Sequence, residues 1–73
     1  MPKLPVVSGA EVVRALEHLG FVVTCQRGSH IMMRRGSSGC VVPKHHELKI
    51  GTLVGLLKQA GISPEEFVET LNA

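Results

Sequence analysis

The sequence predicts an α+β fold: a three-stranded antiparallel sheet with all its helices on one face. Two observations carry that prediction. Apolar residues recur at helical spacing near the start of the chain and again after its middle, each stretch ending in glycine. Between them lie three short runs of bulky and β-branched residues, separated by glycine turns. The resulting order, α-β-β-β-α-α, implies a sheet covered on one side.

Each element has its own signal. Residues 1–7 contain Pro2 and Pro5 and read as an extended lead-in. Ser8 is a good N-cap, and Glu11 three residues later completes a capping box. Val12, Val13, Leu16 and Leu19 then repeat at helical spacing, and Gly20 stops a helix expected over 9–19. Phe21 to Gln26 reads as a strand with Phe21, Val23 and Cys25 on one face, followed by a turn at Arg27-Gly28. Ser29 to Arg35 reads as the second strand, in which Ile31 and Met33 alternate with His30, Met32 and Arg34. Gly36-Ser37-Ser38-Gly39 has the composition of a loop, and Cys40-Val41-Val42 is a short third strand closed by Pro43, an edge-compatible residue. After the polar connection Lys44-His45-His46-Glu47-Leu48, a helix is expected over 50–60 with Ile50, Leu53, Val54, Leu57 and Ala60 on one stripe and Gly61 at its end. Ser63-Pro64-Glu65-Glu66 opens a short last helix as a second capping box, with Phe67, Val68 and Leu71 as its apolar face. No second domain is indicated, so residues 1–73 are read as one domain.

Size and composition narrow the function. A chain this short buries only ~60% of its unfolded surface, so its core must be efficient. No apolar run is long enough to span a membrane and no signal-peptide pattern opens the chain, which leads to the expectation of a cytoplasmic protein with no membrane partner. Cys25 and Cys40 form no CxxC. On the first and third strands they would lie roughly 10 Å apart, too far for a bridge, and they are read as small buried hydrophobes. The net charge is only +2, but its distribution is uneven. Most cations and three of the four histidines sit in the middle of the chain, whereas the acids, Glu47 excepted, sit in the terminal thirds. A basic centre of this kind suits a polyanion on one face, although a solvated hairpin with ordinary surface charges has the same composition.

Several chemistries are disfavoured. There is no aspartate, and His45-His46 is an adjacent pair whose side chains diverge in an extended segment, with no completing zinc spacing. A two-metal carboxylate site is therefore not expected, and no metal or cofactor is assigned. Ser29 and His30 are neighbours on a strand and face opposite ways, so no Ser–His relay is implied. No Walker loop or dinucleotide fingerprint is present. With Phe21 and Phe67 as the only aromatics, both expected in the core, aromatic stacking of unpaired bases is not provided for.

Acid–base chemistry remains. If Ile31 and Met33 point into the helices, His30, Met32 and Arg34 point onto the open sheet face. A histidine just past Gly28-Ser29, exposed and beside cations, can remove the proton from an RNA 2′-hydroxyl, which is a nucleophile the substrate itself carries. Arg27, Arg34, Arg35, Lys44 and Lys49 are the candidate phosphate-binding cations. His45 or His46 is a candidate proton donor to the leaving oxygen, and the N-terminus of the helix starting near Ile50 is a further candidate anion site. Gly51 and Gly55 on that helix cost stability, and close packing against a neighbouring element is the favoured explanation.

An ordered set of short motifs then resembles the HicA-type (YcfA-like) toxin family. They are Leu4-Pro5-Val6-Val7-Ser8-Gly9, Leu19-Gly20-Phe21, Gly28-Ser29-His30, Val42-Pro43 followed by His45, Glu47-Leu48-Lys49 with Gly51-Thr52-Leu53, Leu57 to Ser63, and Glu66-Phe67. The resemblance implies a double-stranded-RNA-binding-domain-like α-β-β-β-α fold, here with a short extra C-terminal helix. It further implies an mRNA interferase, a metal-independent endoribonuclease with its catalytic histidine at His30, neutralised by a HicB-type antitoxin that covers the active face. Met32-Met33 stand where relatives in that family often carry polar or aromatic residues, and Cys25 stands where the resemblance leads one to expect a basic residue. Two further readings stand beside this one: a non-catalytic RNA-binding module, and a degenerate toxin that keeps only its antitoxin-binding surface.

Overall fold

The Ser8 hydroxyl accepts the backbone N–H of Glu11 at 3.1 Å, and the Glu11 carboxylate accepts that of Ser8 at 3.0 Å. This reciprocal capping box starts the first helix, α1 (Gly9–His18), in a computed structural model that describes residues 3–73. The lead-in is irregular from Lys3 onward, whereas Met1 and Pro2 lie outside the described residues. Leu19 caps α1 at its C-terminal end and Gly20 follows with φ +94°, a left-handed-side conformation that costs glycine nothing.

Three antiparallel strands follow, β1 (Val22–Arg27), β2 (His30–Arg35) and β3 (Ser38–Pro43), in the spatial order β1-β2-β3. Both hairpins turn on a Gly-Ser pair. Gly28 has φ +56° and Gly36 φ +59°, the positive φ that a two-residue type II′ turn asks of its first central residue. The first turn is thus Gly28-Ser29, one residue later than expected. The second is two residues long, because Ser38 and Gly39 join β3 opposite Arg35 and Arg34.

Two further helices complete the chain. The helix α2 (Ile50–Ala60) has the expected bounds and ends on Gly61 at φ +74°. In α3 (Pro64–Leu71), the Ser63 hydroxyl accepts the N–H of Glu66 at 3.1 Å. Only this half of the expected second capping box forms, and Glu65 and Glu66 also favour the positive end of the helix dipole.

The core lies between the helices and one sheet face. Ile31 opposes Val42 and Met33 opposes Cys40, so these four buried residues share that face. Val12, Ala15 and Leu16 of α1, Leu53, Leu56, Leu57 and Ala60 of α2, and Phe67 of α3 close over them. Fully burying a side chain of this size contributes about 1.5–3 kcal/mol. Burial also raises the Cys40 thiol above its ordinary titration range.

Two expectations about faces and one about close packing are corrected. The pairing register of β1 shifts at a bulge between Val23 and Cys25, so Val23 pairs with Met33 but Cys25 pairs with Met32. The extra residue moves Cys25 from the helix-facing side onto the open side, and Val23, on an edge strand, stays 45% exposed. On α2, Leu56 takes the buried place assigned to Ile50 and Val54, which are exposed. Gly51 and Gly55 meet no close neighbour: a Cβ at either would have open space around it.

Candidate active site

The ladder register assigns the open sheet face. Paired residues share a face and neighbours alternate, which gives Arg27, Cys25 and Val22 on β1, His30, Met32 and Arg34 on β2, and Pro43, Val41 and Gly39 on β3. His30, Met32 and Arg34 are all exposed, as the strand alternation predicted. His30 is the first residue of β2 and sits between Arg27 and Pro43 at one end of the sheet.

Hydrogen bonds to backbone carbonyls brace that corner. The Gly28 carbonyl accepts the Gln26 side-chain amide at 3.4 Å, and the Ser29 carbonyl accepts the Lys44 backbone N–H at 2.6 Å. The second bond brings the start of the connection after β3 beside the turn that carries His30. The same connection is tied to the front of α1: Gly9 N–H donates to the His45 carbonyl at 2.8 Å, and Leu48 N–H donates to the Val7 carbonyl at 2.8 Å. Leu48 is buried, while Lys44, His45, His46 and Lys49 project outward and are exposed. Buried anchors below and polar side chains above hold this segment in one position without covering it.

Gly9 contributes to this arrangement in a way the sequence does not announce. A Cβ at Gly9 would run into the Pro43 carbonyl oxygen and crowd Lys44 Cα at 3.0 Å. The front of α1 can therefore touch the end of β3 only because residue 9 has no side chain. Next to a good N-cap, Gly9 reads as part of the helix start, and nothing in the sequence signals the close approach.

The five predicted cations divide. Arg27, Arg34 and Lys44 belong to the open face or its rim. Lys49 is the N-cap residue of α2, and no side chain caps that helix start. Arg35 is separated from them. Strand alternation turns it to the helix side, where its guanidinium donates to the Leu19 carbonyl at 2.7 Å and lies 4.8 Å from the centre of the Phe21 ring. It satisfies a carbonyl left open at the end of α1 and covers an aromatic face.

No acidic residue occurs between Glu17 and Glu47, so the whole sheet carries arginines and no carboxylate. The arrangement can bind a backbone of phosphates and deliver a proton-transfer group to it at one end. Among the described residues no group of three or more His, Cys, Asp and Glu side chains converges as a metal site, and no helix is long and apolar enough to cross a membrane.

Comparison with known proteins agrees with this layout. A family model, the HicA toxin of bacterial toxin–antitoxin, matches residues 9–62. The match takes in α1, all three strands, the connection bearing His45 and His46, and α2. No curated protein matches the chain.

Proposed function

The chain belongs to the HicA toxin family of bacterial toxin–antitoxin systems, and from that premise we propose that it is a metal-independent endoribonuclease that cleaves mRNA with His30. The family assignment makes it the toxin of such a pair, with RNA as substrate and an antitoxin as partner. A HicB-type antitoxin covering the open sheet face, and a cytoplasmic site of action, complete the reading.

One observation carries the catalytic part. His30 is exposed at the end of an acid-free sheet face, on a braced turn, with Arg27 across the ladder and Lys44 bonded to the preceding residue. In the proposed step His30 takes the proton of a 2′-hydroxyl, and the oxygen attacks the adjacent phosphorus. The bond from phosphorus to the 5′-oxygen breaks, and that oxygen leaves with a proton from His45 or His46. The products are a 2′,3′-cyclic phosphate and a free 5′-hydroxyl, so the balance needs no water and no metal. Arg27, Arg34, Lys44 and Lys49 hold phosphates and offset the charge that builds on the non-bridging oxygens. Gly28 and Ser29 set the direction of His30, and the uncapped start of α2 offers backbone N–H groups to a further phosphate.

The test compares wild type with His30→Ala on single-stranded RNA in the presence of a chelator. Wild type is expected to cleave and leave cyclic phosphate ends. The variant is expected to fold, to bind the same RNA and to cleave at least a hundredfold more slowly, the usual reach of a positioned acid–base group. Equal cleavage by both proteins would overturn the role of His30. Binding without cleavage by wild type would favour the RNA-binding module, and neither would leave only the antitoxin-binding surface.

A further inference from the structure

The open face carries an apolar spot between its cations. Met32 and Val41 are directly paired across β2 and β3, and they remain 42% and 38% exposed. A shallow depression of about 610 Å³ begins here: Thr24, Met32 and Arg34 line one side, Gly39 and Val41 lie across from them, and Gln59 of α2 closes the sheet edge. Two features of the backbone shape it. The bulge in β1 brings Thr24 against Met32, whose carbonyl accepts the Thr24 hydroxyl at 3.3 Å. Gly39, paired with Arg34, has no side chain, and a Cβ there would lie 3.5 Å from Arg34 Cγ and narrow the space.

The position along the strand matters as much as the shape. His30, Met32 and Arg34 alternate on one face, so Met32 is ~7 Å from His30 and Arg34 is ~13 Å from it. An apolar surface flanked by a proton-transfer group on one side and a guanidinium on the other matches a nucleotide, whose flat ring lies between two backbone phosphates. A methionine suits the ring: its thioether is polarizable, adapts its shape and makes favourable contacts with aromatic systems. Charge complementarity points the same way, since the face has no carboxylate to repel the strand.

We propose that Met32 and Val41 form a seat for one unstacked nucleobase of the substrate strand, adjacent to the phosphate attacked near His30, with Arg34 holding the next phosphate. The sheet thereby handles single-stranded RNA with an aliphatic platform in place of aromatic ones. Thr24 and Gln59 supply polar groups at the rim, where base edges face. The inference rests on the reading of this face as an RNA-binding surface, and it does not depend on cleavage.

Binding is therefore measured in the His30→Ala background, with a short single-stranded RNA and with copies carrying one abasic nucleotide at successive positions. One position should stand out, with affinity lowered about two- to tenfold when its base is missing. Adding Met32→Thr, an exposed substitution that suits a strand, should weaken the intact RNA by a similar factor and remove the abasic penalty; Gly39→Val, which fills the depression, should do the same. Thermal melts of both variants establish folding. An equal response at every position, or an abasic penalty that survives Met32→Thr, overturns the seat. Loss of antitoxin binding by Met32→Thr with RNA discrimination intact also overturns it, in favour of a protein-docking role for the spot. A single-position abasic penalty that Met32→Thr removes, in a protein whose wild type cleaves nothing, would sustain the seat while refuting the nuclease reading.

Discussion

Arg34 and Arg35 are adjacent in sequence and lie on opposite faces, because a strand turns successive side chains to opposite sides. Arg34 has the open face and its depression. Arg35 closes the α1–β1 junction, bonded to the Leu19 carbonyl and resting on Phe21. A charge-assisted hydrogen bond and a cation–π contact, both partly exposed to solvent, together stabilise by about 2 kcal/mol, the low end of their combined range. Arg35→Ala is therefore expected to lower the melting temperature by roughly 4–8 °C per kcal/mol while RNA affinity changes little. Arg34→Ala should show the reverse, weaker RNA binding at nearly unchanged stability. Paired thermal melts and binding titrations distinguish the two. A loss of RNA affinity by Arg35→Ala equal to that of Arg34→Ala would contradict the division. Composition alone counts these residues as two equivalent cations; only the register, and the carbonyl that lies within reach of one of them, separates their roles.

The two hairpins offer a comparison at the level of elements. Gly28-Ser29 and Gly36-Ser37 have the same residue types, the same loop length and nearly the same positive φ at glycine, +56° and +59°. Neither glycine has a neighbour that a Cβ would meet, so alanine at either site strains the backbone and nothing else. Each substitution should destabilise by about 1–2 kcal/mol. Their effects on activity should differ. Gly28→Ala disturbs the turn that aims His30, so it should reduce RNA cleavage beyond its effect on stability, whereas Gly36→Ala should leave cleavage per folded molecule unchanged. Equal rates in the two variants would show that the first turn has no part in aiming His30. The elements themselves were legible in the sequence because capping residues, glycine stops and strand alternation are local signals, and His30, Met32 and Arg34 face outward as the alternation required. What the sequence left illegible depended on contacts between distant segments. The bulge that moved Cys25 is a mismatch between two strands, the buried stripe of α2 is chosen by what packs against it, and the closeness of Gly9 to Pro43 is a meeting of segments far apart in the chain.

For the whole molecule, the consequential fact is a segregation of charge that a net value of +2 conceals. The sheet and the connection after it supply Arg27, Arg34, Lys44 and Lys49, while carboxylates are confined to the helices and to Glu47. A nucleic acid strand approaching the open face meets cations and no carboxylate, and each of its phosphates that a cation neutralises releases condensed counterions. The logarithm of affinity should then fall linearly with the logarithm of salt concentration, by about 0.7 per phosphate for a single strand. Replacing any one of Arg27, Arg34, Lys44 or Lys49 with alanine should make that slope shallower by roughly this amount. Lys58, in the last turn of α2, and Arg35, held at the end of α1, should leave it unchanged. The salt slope reads the number of phosphates directly and is insensitive to apolar contacts, so it also separates these cations from Met32, whose replacement should weaken binding at every salt concentration without altering the slope. A slope that responded equally to Lys58 and Lys44 would mean that the strand is drawn by overall charge and has no preferred face. A slope that responded only to the four rim and sheet cations would define a path for the strand across β2, from Arg34 past Met32 to the corner where His30 is held.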